Sequence, residues 1–188
     1  MNKDEKDLAE SFLTLLRPIR RELEAYCRRL VWNEHDAPDA LQNAAMNAFK
    51  AFDRYHEDSN FRAWMFKILT NEAFKLNRKH GRLAQFEYQV EPEELDVLPA
   101  LESNTEYRDW LDAPEALADA LDQQLLAALK TLTEIERAVL LMRGIGEFRY
   151  REIAESLDIP LGSVMGNLAR ARKKMQEAIL RSQRRSVL

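Results

Sequence analysis

Residues 149–174 read RYREIAESLDIPLGSVMGNLARARKK, and this stretch decides the fold of the second half of the chain. Two short amphipathic segments flank residues 157–160, where Pro160 cannot continue the first segment as a helix. Apolar residues at helical spacing are Ile153, Ala154 and Leu157 in the first segment and Val164, Leu168, Ala171, Met175 and Ile179 in the second. The pattern predicts a helix-turn-helix whose second helix opens at Ser163, a good N-cap.

The second helix carries its charge on the face opposite the apolar stripe. That polar face holds Asn167, Arg170, Arg172, Lys173 and Lys174. A helix of this kind, braced by its neighbour, presents hydrogen-bond donors to a DNA major groove and positive charge to the flanking phosphates. A merely solvated basic helix would show the same charges. The coincidence of turn, cap and basic face nevertheless favours DNA binding.

Composition places the chain among globular proteins of one domain or two small ones, with 188 residues, 46% hydrophobic and 32% charged. No apolar run approaches the roughly 20 residues that cross a bilayer. Residues 1–6 are followed by a helical pattern without a signal-peptide core, so we expect a cytoplasmic protein. The lone Cys27 fits a reducing compartment, and we expect it to pack rather than react.

The net charge of -4 conceals a division along the chain. Residues 83–129 hold 12 acidic residues against the single Arg108, which leaves 27 basic and 20 acidic residues elsewhere. Prolines interrupt the same stretch at Pro92, Pro99 and Pro114. We therefore predict two basic domains, residues 1–83 and 115–188, joined by an acidic linker over residues 84–114. A solvated tether is as good an interpretation of that linker as any specific role.

The first domain is predicted to be helical throughout. One apolar stripe recurs at intervals of three and four, through Leu8, Phe12, Leu15, Ile19, Leu23, Tyr26 and Leu30, and Pro18 is placed to kink or divide it. A second helix runs from Pro38 to about Asp53, with Leu41, Ala44, Ala45, Ala48, Phe49 and Phe52 on its buried face. A third runs from Asn60 to about His80, capped by Ser59. The fold class is all-α.

The third helix combines aromatic rings with cations, a mixture that suits single-stranded nucleic acid because bases stack on rings while cations follow phosphates. Trp64 lies on a continuous apolar stripe, so core packing is favoured over base stacking for that ring. Asn71 and Lys75 lie outside the stripe and are better candidates to touch nucleic acid. The polar loop before the helix adds His56, Glu57, Asp58 and Asn60.

Matching segments in both halves resemble a known family. They are Asp39-Ala40-Leu41-Gln42-Asn43, Phe61-Arg62-Ala63-Trp64-Met65, Ile153-Ala154-Glu155 and Gly162-Ser163-Val164, in the order and spacing of bacterial extracytoplasmic-function (ECF) sigma factors. These are two-domain initiation subunits of RNA polymerase. The resemblance implies a region 2 bundle that docks on the polymerase and opens the minus-ten element of a promoter. It also implies a region 4 helix-turn-helix that reads the minus-thirty-five element.

The resemblance assigns roles to residues of this sequence. Polymerase docking falls to Asp39, Leu41, Gln42 and Asn43. Capture of the minus-ten strand, with one base flipped into the polar loop, falls to His56, Glu57, Asp58, Asn60, Arg62, Asn71, Lys75 and Arg78. Minus-thirty-five binding falls to Arg149, Tyr150, Arg151, Ser163, Met165, Asn167, Arg170, Arg172, Lys173 and Lys174.

Several positions depart from the family pattern. Asn43 stands where an acid is common and Ala45 where an aromatic is common. Gly166 and Asn167 replace a small hydroxyl residue and an arginine, so the preferred minus-thirty-five sequence is expected to differ. Asp158 replaces a usual turn glycine and tolerates the left-handed conformation better than most residues.

The resemblance also implies partners. Members are usually held inactive by an anti-sigma factor, and their linker threads toward the RNA exit channel, where acidic residues such as Glu91 and Glu93 would stand in for RNA. We expect a chain that is monomeric when free and needs no cofactor or metal, with chemistry left to the polymerase.

Two other classes of function compete with this interpretation. A stand-alone helix-turn-helix regulator would bind a palindromic duplex as a dimer, but no heptad-like seam supports dimerisation. An enzyme has less support, because His35, His56 and His80 lack ligand spacing and no glycine-rich phosphate loop is present among five glycines.

Overall fold

The computed structural model describes residues 3–56, 60–81 and 124–185, and every regular element in these ranges is a helix. The helices are α1 (Lys3–Leu16), α2 (Arg20–Leu30), α3 (Ala37–Ala51), α4 (Phe61–Gly81), α5 (124–129), α6 (Glu134–Gly144), α7 (Tyr150–Leu157) and α8 (Leu161–Arg185). The all-α fold class is therefore confirmed. Among the described helices, none combines the length and apolar character of a membrane span.

Helices α1 to α4 form a bundle around an aromatic and aliphatic core. Pro18 sits in a short 3-10 turn, Arg17–Ile19, which divides α1 from α2 as the sequence suggests. Tyr26 is fully buried, and its hydroxyl lies 2.7 Å from the hydroxyl oxygen of Thr70 on α4. Small residues on the buried face of α3, namely Ala40, Ala44 and Ala48, let its backbone approach α4 closely.

Two residues predicted on buried stripes are exposed instead. Leu15 is exposed because α1 packs on the core through Leu8, Phe12 and Leu16, which lie four residues apart, and Leu15 lies beside this line. Phe49 lies at the rim of the bundle, where its ring meets the ring of Phe12 edge-on at 5.5 Å between centroids. Both predictions were wrong for the same reason: periodicity marks a face of a helix but not where that face leaves the core.

Helix beginnings differ in detail from the sequence expectations. The predicted cap of α4, Ser59, lies outside the described residues, and Asn60 accepts a hydrogen bond from the backbone N–H of Ala63 at 3.1 Å. Helix α8 begins at Leu161, so the predicted start at Ser163 was wrong by two residues. The reason is local, because the N–H of Ser163 already donates to the carbonyl of Pro160 at 2.9 Å. Pro160 therefore begins the first turn of α8.

Helices α6, α7 and α8 form the helix-turn-helix domain. Thr133 and Glu136 cap α6 reciprocally, each bonding to the other's backbone N–H. Asp158 ends α7 in the left-handed conformation with φ of 56°, as its place in the turn predicts. The buried stripe of α8 holds Val164, Leu168, Ala171 and Met175, with Ile179 partly buried. Helix α8 is thereby fixed against its neighbours.

The two helical units pack against each other, α2 against α6 and α4 against α7. Cys27 is fully buried in the first unit, where its thiol lies 3.6 Å from the carbonyl oxygen of Ala37. Burial raises the pKa of that thiol to about 12. The expectation that Cys27 packs is confirmed.

Candidate nucleic-acid interface

The amino-terminal half of α8 leaves one face open. Leu161, Met165, Arg172 and Lys173 are exposed along it. Arg149 and Arg151, at the start of α7, are exposed beside the same face. The backbone N–H of Arg149 donates to the Glu152 carboxylate at 2.7 Å, which fixes the start of α7. The structure thus brings three predicted residues of this segment, Arg149, Tyr150 and Arg151, beside Met165 of α8.

A buried carboxylate holds two of the predicted DNA-binding cations. Glu136 on α6 accepts from the ammonium of Lys174 at 2.8 Å and lies 3.5 Å from the guanidinium of Arg170. Burial alone would raise the pKa of Glu136, but hydrogen bonds from Lys174 and Thr133 and the Lys174 charge outweigh it, so the pKa lies below its usual value. Both cations remain about 40% exposed, at 42% for Arg170 and 40% for Lys174. They are positioned by α6 while facing solvent.

Asn167 is also engaged within the helix. Its side-chain amide donates to the carbonyl of Ser163 at 2.7 Å, and its oxygen accepts from Arg170 at 2.9 Å. These bonds use part of the amide's capacity, since an asparagine side chain has two donors and two lone pairs. Asn167 therefore has less to offer a base edge than its position suggests.

The predicted polymerase-docking residues lie together on α3. Asp39, Gln42 and Asn43 are exposed, and Leu41 is partly buried. Leu41 and Gln42 also line a groove of about 1020 Å³, mostly apolar, formed by residues of α1, α2 and α3. Its wall carries Arg17, Arg20 and Arg28 together with Glu24 and Glu34, and Arg20 donates to Glu24 at 2.8 Å. The groove therefore offers a partner apolar area beside charges of both signs.

Along α4 the predicted strand-binding residues differ in their surroundings. Asn71 and Arg78 are exposed, whereas the ammonium of Lys75 lies 2.6 Å from the Glu72 carboxylate. His56 is exposed, and Glu57 and Asp58 lie outside the described residues. The ring of Trp64 packs among the rings of Phe52, Tyr55 and Phe61. That contact agrees with the core interpretation of Trp64.

The beginning of α4 faces the helix-turn-helix domain. Arg62 donates to Glu22 on α2 at 2.8 Å and to the carbonyl of Gly146 at 2.6 Å, and its guanidinium lies 4.5 Å from the ring centroid of Phe148. The Asn60 amide lies 3.4 Å from the Glu152 carboxylate. Two residues predicted to capture the minus-ten strand thus make contacts inside the chain.

Comparison with known proteins identifies the family. Residues 15–83 match the family described as sigma-70 region 2, and residues 122–175 match sigma-70 region 4. The ECF sigma factor SigE of Mycolicibacterium smegmatis is 30% identical over 151 residues, covering 79% of this chain. The chain belongs to the ECF sigma factors. Both halves that carried the sequence resemblance are included in the matched residues.

Two further relatives are also ECF sigma factors. SigG of Mycobacterium tuberculosis, also an ECF sigma factor, is 30% identical over 173 residues and 85% of this chain. The ECF sigma-E factor of Escherichia coli is 28% identical over 148 residues, which are 77% of this chain and 74% of that protein. This sigma factor spans about half the length of the two mycobacterial relatives, 54% of SigE and 46% of SigG.

Two solved structures with a fold similar to this chain are complexes. RpoE of Bartonella quintana, solved with the anti-sigma factor NepR, has a TM-score of 0.62 and 26% identity over 93% of this chain and 97% of that one. CnrH, solved with the cytosolic domain of CnrY, has a TM-score of 0.64 over 93% of this chain and 90% of that one. At 22% identity CnrH supports the fold alone.

Sequence reasoning missed three residues that organise this sigma factor's surfaces: Glu136, Gly146 and Phe148. Glu136 had a signal, since Thr133 followed three residues later by Glu136 is a capping box. Phe148 had none, because its partners lie more than 80 residues away in the sequence. Within the described ranges, no group of three His, Cys, Asp or Glu residues is placed to hold a metal ion.

Proposed function

We propose that this chain binds the core RNA polymerase of a bacterium and directs it to a particular set of promoters as an alternative sigma factor. In this role the helix-turn-helix domain captures the minus-thirty-five element as duplex. The amino-terminal domain then traps the minus-ten element as a single strand. The chain supplies binding free energy and positioning, while the polymerase performs the chemistry.

One observation carries the proposal: region 2 and region 4 occur in order on one chain, and the region 4 helix has an open basic face. Arg172 and Lys173 lie on that face, with Arg149 and Arg151 beside it. Cations so arranged bind phosphates and orient the helix in the major groove. Capture of an unpaired strand then offsets the unstacking that opening requires.

Docking on polymerase is assigned to the exposed face of α3 formed by Asp39, Leu41, Gln42 and Asn43. The adjoining apolar groove, whose wall carries charges of both signs, supports this, because it offers area beside specific polar contacts. An anti-sigma factor is a further proposed partner, supported by the complex of the similar sigma factor RpoE with the anti-sigma factor NepR. The domains are proposed to comprise residues 1–83 and 115–188.

The deciding experiment is run-off transcription with purified bacterial core polymerase on a promoter library, with and without this protein. We expect initiation that depends on the protein, and two shared motifs upstream of the starts. Absence of dependent initiation, together with specific duplex binding by the protein alone, would instead establish the stand-alone regulator.

A double variant separates docking from DNA binding. Asp39→Ala with Gln42→Ala changes two exposed side chains of α3, so the fold is expected to survive. We expect weaker binding to core polymerase in a fluorescence titration and proportionally less initiation. The matched control is Lys50→Ala, which alters an exposed residue near the end of the same helix. Equal losses in both variants would remove the assignment of docking to this face.

A further inference from the structure

The exposed side chains at the beginning of α8 are apolar. A surface that reads bases usually carries hydrogen-bonding groups instead. Met165 is 48% exposed and Leu161 is 37% exposed. They stand four residues apart on α8, so they are neighbours on one face of the helix. Arg149, Tyr150, Arg151 and Glu152 complete a crevice of about 380 Å³ with these two side chains. Positive charge therefore flanks an exposed apolar pair.

The glycines on either side of Met165 leave it prominent. A Cβ placed on Gly162 would meet nothing within 4 Å, and one on Gly166 would meet only the Arg170 guanidinium at 3.6 Å. No side chain therefore projects from the helix at the two glycine positions next to Met165. A groove edge can approach the backbone at both glycines while the thioether chain reaches further than its neighbours.

The polar side chains nearby are less available to bases. Asn167 bonds to the Ser163 carbonyl and to Arg170, and the Lys174 ammonium lies against Glu136. Among base edges in the major groove, thymine presents a methyl group as its apolar feature. A flexible thioether adapts to such a contact better than a branched side chain.

We propose that Met165, supported by Leu161, selects thymine at the minus-thirty-five element by contact with the C5-methyl group. This rests on the proposed function, because it requires that α8 enter the major groove of promoter duplex. The arginines at 149 and 151 hold the phosphates, and the apolar pair reads the methyl. Met165 then distinguishes thymine by the fit and desolvation of its methyl group rather than by a hydrogen bond.

The test replaces single thymines by deoxyuridine, which lacks only the methyl group. Holoenzyme assembled from core polymerase and this chain initiates on templates carrying the minus-thirty-five sequence recovered from the run-off library. At one or two positions, deoxyuridine is expected to lower initiation at limiting holoenzyme about four-fold, the loss that corresponds to one buried methyl group. Met165→Ala should initiate equally on thymine and deoxyuridine templates.

Leu180→Ala is the matched control, since Leu180 is 47% exposed on the same helix but about 22 Å further along it. It should keep the thymine preference of the wild type. Initiation that depends on the chain but ignores deoxyuridine at every position would overturn this inference and leave the proposed function intact. An undiminished preference in Met165→Ala would overturn it equally. Absence of dependent initiation would remove the proposed function itself.

Discussion

The open face of α8 and the beginning of α4 carry similar chemistry in different surroundings. Both present arginine and asparagine at positions assigned to DNA. On α8, Arg172 and Lys173 meet solvent, whereas on α4 Arg62 lies between Glu22, Gly146 and Phe148. The difference shows that residue type determines what a surface can bind, while packing between domains determines how its side chains are engaged.

The same comparison distinguishes two ways of holding a cation. Glu136 positions Arg170 and Lys174 from below and leaves their outer side to solvent, so both remain usable for phosphate. Gly146 and Phe148, which belong to the other domain, contact the Arg62 guanidinium itself. In the first case the contact is to a carboxylate of the same domain, and in the second it joins two domains.

The largest expected change in stability is that of Phe66→Ala, at the contact between the two domains. The Phe66 ring packs on Tyr26 within its own domain and on Phe148 in the other. Its removal should lower the free energy of unfolding by about 3–5 kcal/mol, the usual cost of emptying a buried phenylalanine site. Urea denaturation followed by circular dichroism measures this. Phe49→Ala, at the exposed rim, should lose far less, and equal losses would contradict the role given to Phe66.

On the open surface, Glu136→Gln should lower the free energy of unfolding by about 1.5–3 kcal/mol at neutral pH, because charged hydrogen bonds to Lys174 are lost. The folded pKa of Glu136 is depressed, so its stabilisation is complete above the unfolded pKa of about 4.3 and is lost as pH falls through the folded pKa. The gap between wild type and variant should therefore narrow below about pH 4.

Denaturation midpoints measured from pH 3 to 7 test that pH dependence. Glu177→Gln is the control, since Glu177 forms an exposed pair with Arg181 and should change stability little at any pH. If the difference in stability between wild type and Glu136→Gln stays constant down to pH 3, the ionisation of Glu136 does not contribute to stability.

Gly146→Ala tests the close packing of Gly146 against Phe148 directly. A Cβ there would lie 2.6 Å from two ring carbons of Phe148 and 2.8 Å from the Met142 carbonyl oxygen. Because backbone cannot yield cheaply, we expect a loss of about 1–3 kcal/mol in the free energy of unfolding, measured by urea denaturation. Gly144→Ala, two residues earlier, meets nothing within 4 Å and should be neutral or stabilising. Equal effects of the two variants would exclude crowding as the cause.

The smallest expected change is an increase in stability. Asp158 adopts φ of 56° between α7 and α8, a conformation that glycine takes without strain. Asp158→Gly should stabilise the chain by up to about 1 kcal/mol, read as a higher Tm by calorimetry. Asp158→Ala should destabilise it, because alanine has neither glycine's freedom nor an aspartate's local hydrogen bonds. A lower Tm for Asp158→Gly would mean that the carboxylate stabilises the turn.

Helices were predictable from sequence wherever one strong pattern acts over several turns. The apolar stripe of α8 and the division at Pro18 follow from periodicity and from proline's missing donor. Boundaries were less predictable: α8 begins at Leu161 because Pro160 joins its first turn, whereas the cap signal favoured Ser163. Leu15 was misplaced because α1 packs through residues four apart, Phe12 and Leu16, whereas the predicted stripe steps from Phe12 to Leu15.

The contacts of Arg62 could not be predicted in this way. Periodicity describes the inside of one helix bundle, but Gly146 and Phe148 meet Arg62 only because two domains pack together. The sequence marks the start of α4 as polar and aromatic, and this is equally consistent with binding DNA or binding a neighbouring domain. The polymerase-docking, minus-ten and minus-thirty-five assignments stay predictions until the experiments above are done.

The buried thiol of Cys27 provides a natural probe of the amino-terminal bundle. Because its side chain is fully buried and its pKa is raised to about 12, the thiol is neither accessible nor ionised at neutral pH while the bundle is closed. Alkylating reagents therefore modify the chain's single cysteine only when α2 lifts away from α3. The labelling rate measures that opening directly, without any engineered tag, in the free chain and in its complexes alike.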